Sequence, residues 1–99
     1  MMDKIINYLM NEKKSSEKVA KTIAEKFQKH DDIKTELIYW LDNRIFKDSD
    51  LVFVEGYNAK SIMELNPKFD VIGAYSFLIS LRDNPQQAKK FIEEGFIVK

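Results

Sequence analysis

The chain has no cysteine, and its 99 residues include only three glycines, two prolines and one histidine. Without cysteine there is no disulfide, no thiolate zinc site, no iron–sulfur cluster and no cysteine nucleophile. Gly56, Gly73 and Gly95 are isolated, so no glycine-rich loop exists to wrap a phosphate. His30 stands beside Lys29 and ahead of Asp31 and Asp32. General acid–base work needs a partner and a pocket, and this histidine reads instead as a solvated turn residue. The paired acids Asp31-Asp32 and Glu93-Glu94 are sequence neighbours, which point in different directions on a helix. They read as cap and surface charges. No catalytic residue, no metal ligand and no cofactor is therefore expected.

Charge of one sign is lacking as well. Sixteen basic residues balance sixteen acidic ones, so no strong global field draws in nucleic acid or anionic lipid. The distribution is less even. Lys13 to Lys29 holds six lysines against two glutamates, net +4, and Asp31 to Glu55 is net −4. Two solvated helix faces of opposite sign are the expectation. The lysine-rich second helix has alanines and no tryptophan on its apolar side, which favours core packing over a membrane surface.

A long hydrophobic run is also missing. The longest, Val71 to Leu81, is eleven residues and contains serines, whereas crossing a bilayer takes about 20. The opening MMDKIINYLMNEKK carries an early Asp3 and no small-residue cleavage pattern. A cytoplasmic protein without membrane contact is the expectation.

What is present is a helical globule. Hydrophobic residues make up 44% of the chain and aromatics 12%, which fits a folded globule and argues against disorder. Ile5, Ile6, Leu9 and Met10 predict a first helix over residues 2–13. Ser15 or Ser16 caps a second, with the stripe Val19, Ala20, Ile23, Ala24 and Phe27. A third begins at Asp31-Asp32 and runs to Phe46 through Ile33, Leu37, Trp40, Leu41 and Ile45. Leu51-Val52-Phe53-Val54 suggests an extended segment, either a buried connector or a strand paired with Phe96-Ile97-Val98. Asn58 caps a short helix over 59–65, which Pro67 closes. Asp70 caps a helix over 71–83, and Asn84-Pro85 opens the last, 86–94, which Gly95 stops. The fold expected is all-α: a single domain over 1–99, with five to six short helices and one candidate extended segment near 51–54. Its N-terminal three-helix part covers 2–46 and its C-terminal part 58–95.

Helix 71–83 is apolar almost all the way round, so it belongs at the hub of the core. Its one small polar seam, Gly73, Ser76 and Ser80, either packs against a neighbour within the chain or serves as a docking surface. Tyr39 lies about 100° round its helix from a core-facing Trp40, and Tyr57 follows Gly56. These tyrosines are the candidate exposed anchors. Residues 56–83 also have the outline of a helix-turn-helix, whose second helix would read DNA. Only Lys60, Lys68 and Arg82 are present there to meet phosphate and bases. The function expected is a small non-enzymatic protein acting through contact with a protein partner or with itself. The alternative is a nucleic-acid-binding regulator using residues 56–83.

Overall fold

The structure is a computed structural model that describes residues 4–47 and 51–95. The chain is all-α, with six helices and no strand among the described residues. These are α1 (Lys4–Asn11), α2 (Glu17–Gln28), α3 (Asp31–Asn43), α4 (Ala59–Leu65), α5 (Val71–Asp83) and α6 (Pro85–Glu93). They fall into two compact units, Met1–Asp50 and Leu51–Lys99, with three helices each.

In the first unit α1, α2 and α3 pack pairwise. Ser16 starts α2: its hydroxyl accepts the Val19 N–H at 3.2 Å, the side-chain cap that an orphan amide of the first turn requires. Ile5, Leu9, Ala20, Ala24, Phe27, Ile33 and Leu37 are buried. Val19 belongs to the expected stripe but stays 48% exposed. At 100° per residue it lies at the rim of the arc defined by Ala20, Ala24 and Phe27.

The third helix ends at Asn43, not at Phe46. Arg44 turns left-handed at φ +60° and its N–H returns to the Trp40 carbonyl, leaving Ile45 beyond the helix and 59% exposed. A side chain in this region carries a Cβ penalty that glycine avoids. The compensation is visible in what Arg44 touches. Its guanidinium grips both carboxylate oxygens of Glu12, with Nη1 donating to Oε1 at 3.0 Å. It also lies 5.4 Å from the Tyr8 ring centroid and 5.3 Å from that of Trp40, within cation–π range of both. Tyr8 and Trp40 themselves meet edge to face at 6.5 Å. Lys4 and Tyr8 on one face of α1, and Glu12 just past its end, thus meet the end of α3. Lys4 completes the contact by donating to both Asp42 oxygens at 2.8 and 2.9 Å.

In the second unit the extended segment expected at 51–54 is not a strand. Val54 N–H donates to the Tyr57 carbonyl at 2.8 Å and Tyr57 N–H donates back at 2.9 Å, forming one isolated bridge. Glu55 and Gly56, at φ +54° and +87°, share the left-handed sign of a type I′ turn. The segment therefore pairs with its own continuation and leaves Phe53 62% exposed. Lys89 ties this turn to α6 through an ion pair with Glu55. The alternative pairing with 96–98 lies outside the described residues.

Helix α4 opens with a reciprocal capping box. Asn58 Oδ1 accepts the Ser61 N–H at 2.8 Å, and Ser61 Oγ accepts the Asn58 N–H at 3.0 Å. Asp70 caps α5 by accepting the Gly73 N–H at 2.8 Å. Both α4 and α6 pack on α5, where Ala74, Tyr75, Leu78 and Leu81 are fully buried. Pro85 occupies the first turn of α6, where its missing N–H costs no hydrogen bond. Gly95 at φ +77° returns its N–H to the Ile92 carbonyl at 2.9 Å, a C-terminal bond of the Schellman type.

Two outcomes follow from this packing. Leu78→Ala is expected to cost about 2–5 kcal/mol, the range for emptying a closed core site. Leu65→Ala, at a position 54% exposed, should stay within about 0.5 kcal/mol; urea denaturation measures both. The Arg44 contact carries expectations of its own. Hydrogen bonding to Arg44 holds the Glu12 carboxyl below the usual carboxylate range. A carboxylate depressed in the folded state stabilises above the unfolded pKa, and the contribution is lost as pH falls through the folded one. Glu12→Gln should therefore lose stability at neutral pH and lose less than the parent on acidification. Arg44→Ala should melt below Arg44→Gly, because only glycine sheds the left-handed penalty.

Candidate functional site

The site is built from the two helices that meet at Asn84. Helix α5 runs out of its own capping turn, and α6 starts again at Pro85, so the two diverge from a shared corner. Between them lies an open groove of about 590 Å³. Its floor is Phe77 from α5 and Phe91 from α6, with ring centroids 6.1 Å apart and planes tilted by 38°. Buried Ala88 also lines it. Ser80, Asn84 and Gln87 bring neutral polar groups to the wall, while Lys90 and Glu94 bring one charge of each sign. The volume falls in the range of ordinary binding sites, but five of the eight lining residues are polar or charged, so the groove is a polar-walled surface with two rings at its base.

The aromatic floor continues beyond the groove. Phe69, in the turn before α5, lies 5.8 Å from Phe77. That ring accounts for the glycine of the polar seam. A Cβ built on Gly73 would meet Phe69 Cδ1 at 3.1 Å and the capping Asp70 Oδ1 at 3.3 Å. Gly73 therefore makes room for an aromatic side chain of its own unit. Ser76 is half-buried, and Ser80 is exposed at the groove wall. Of the three seam residues, only Ser80 lines the groove.

The remaining candidates are dispersed. Tyr39 is half-buried, with Lys47 Nζ 6.0 Å from its ring centroid. Tyr57 is half-buried and its backbone closes the tight turn with Val54. Neither lines the groove. Lys60, Lys68 and Arg82 are all exposed, on the first turn of α4, in the turn after it and in the last turn of α5. Helix α5 offers solvent only Ser80, Arg82 and Asp83, with Gly73 and Ser76 partly accessible.

The ionic features outside the groove are surface pairs. Lys21 and Glu17 pair at 2.8 Å one turn apart. Their mutual hydrogen bond raises the lysine pKa and lowers that of the glutamate. Lys89 is likewise raised, chiefly by Glu55. Among the described residues no group of three or more His, Asp or Glu is placed to hold a metal ion, and no helix is long and apolar enough to cross a membrane.

Sequence reasoning missed Asn84, Gln87, Lys90, Phe91 and Glu94 as parts of one site. The available signal was that Gln87, Lys90 or Phe91, and Glu94 recur at three- and four-residue steps along α6. No family model, curated protein or solved structure matches the chain.

The role assigned to Gly73 is testable by a double-mutant cycle. Alanine at position 73 should gain helix propensity but press on the Phe69 ring. Gly73→Ala is expected to be neutral or destabilising in the parent and stabilising by up to about 1 kcal/mol in a Phe69→Ala background. Equal effects in the two backgrounds would show that the ring does not require the glycine.

Proposed function

We propose that this is a small non-enzymatic cytoplasmic protein that acts through protein–protein contact, with the α5–α6 groove as its contact surface. The observation that carries this reading is the groove's composition. Two aromatic rings form a floor inside a polar rim, and interfaces place an aromatic anchor site within a polar, solvent-accessible border in the same way. Its side chains do not form a reactive set. The groove has no histidine, and its one amine and one carboxylate belong to Lys90 in the last turn of α6 and Glu94 at its C-cap.

The nucleic-acid reading has one observation in its favour, the α4–turn–α5 geometry with Lys60, Lys68 and Arg82 exposed. Against it stands the burial of α5. A recognition helix must lay a polar face in the major groove, whereas eight of the thirteen α5 residues are buried.

A photo-activatable residue at position 80, with position 68 as the control, tests the choice in native-host extract. The expected result is a protein adduct from position 80 and none from position 68. Equal labelling at both, or no adduct at either, would overturn the reading. A gel shift with random duplex DNA at about 50 mM salt, where non-specific affinity is high, should show no complex; salt-sensitive retardation would favour the nucleic-acid alternative.

A further inference from the structure

We infer that the occupant of the α5–α6 groove is the same groove of a second copy, in a two-fold dimer that sets Lys90 of each chain opposite Glu94 of the other. This rests on the reading of the groove as a protein-contact surface and names the partner.

The groove carries one cation and one anion, Lys90 in the last turn of α6 and Glu94 at its C-cap, four residues apart. Neither makes an ion pair among the described residues, although i,i+4 spacing would allow it. Lysine on the N-terminal side of glutamate is the weaker order for such a pair. The neighbouring Lys89 is already engaged, by Glu55. Helix α6 thus commits one lysine to its own unit and leaves an unpaired dipole of side chains facing the groove.

A partner surface of one sign would satisfy either Lys90 or Glu94 and repel the other. Satisfying both requires the same two charges in reversed order. A two-fold axis across α6 supplies that order, because it runs the two helices antiparallel and makes every contact reciprocal. The zero net charge of the chain removes long-range repulsion between copies. Each α6 would then cover the Phe77–Phe91 floor of the other copy, with the Ser80 hydroxyl and the Asn84 and Gln87 amides left for hydrogen bonds at the rim.

The test is the concentration dependence of mass for the purified full chain, by sedimentation or light scattering, with charge-reversal variants. Lys90 and Glu94 are exposed, so unchanged melting curves are expected at concentrations where the chain is monomeric, with any difference confined to concentrations where the dimer is populated. Lys90→Glu and Glu94→Lys should each weaken the dimer about tenfold, since each change is felt twice across the axis and turns attraction into repulsion. The Lys90→Glu/Glu94→Lys double variant should recover the parent affinity. The two single variants, mixed, should form a mixed dimer in preference to either homodimer. A parent that stays monomeric at all concentrations, or a dimer indifferent to the single reversals, would overturn the inference. A position-80 adduct to a different protein would overturn the second-copy assignment and leave the groove reading standing. Absence of both dimer and adduct would overturn both.

Discussion

The need to bury α5 is the constraint on which the second unit depends. Val71, Ile72, Ala74, Tyr75, Phe77, Leu78, Ile79 and Leu81 are all buried, and at 100° per residue they occupy roughly 220° of the helix circumference. An amphipathic helix needs cover on one stripe; this one needs it on most of its girth. Helices α4 and α6 pack on it, and each is too short to be a stable helix alone. Their capping devices, the Asn58–Ser61 box and the proline at the start of α6, lower the cost of forming such short helices beside α5. What burial leaves open is the arc around Ser76 and Ser80, and the groove forms where that arc meets α6.

The first unit is organised differently. Its helices are amphipathic in the ordinary sense, with alanines and one phenylalanine of α2 meeting the isoleucine and leucine positions of α1 and α3. Its most specific contact lies at the end of α3, where Arg44 occupies a left-handed position while gripping Glu12 beside Tyr8 and Trp40. Exposed ion pairs are individually weak. Their number here matters less than their geometry, because one guanidinium engages a carboxylate and two rings together.

Much of the fold was legible in the sequence. Caps at Ser16, Asn58 and Asp70, the first-turn Pro85 and the stop at Gly95 are local signals. They act through hydrogen bonds spanning a few residues, so reading them requires no knowledge of the tertiary structure. The misreadings share one cause. Ile45 continued the spacing of α3, yet the helix ended one turn earlier because Arg44 had partners 32 and 36 residues upstream. Leu51 to Val54 had the composition of a strand, but among the described residues no strand pairs with it, and Val54 closes a turn on Tyr57. The site was legible in halves. The apolar helix and its serines were visible, whereas Lys90, Phe91 and Glu94 joined them only because α6 folds back at Asn84.

The sequence by itself determined the helical class, the places where helices begin, and the hub position of residues 71–83. Each of these follows from periodicity and capping, which are properties of neighbouring residues. Tertiary structure alone decided why Gly73 is a glycine, since the Phe69 ring that needs the space comes from a turn whose path no pattern specifies. It also decided that Ser80 faces a groove and that Lys90 and Glu94, unpaired among the described residues, stand at its edge. Those outcomes depend on the angle between two packed helices, which side-chain fit across the contact sets and sequence spacing does not encode.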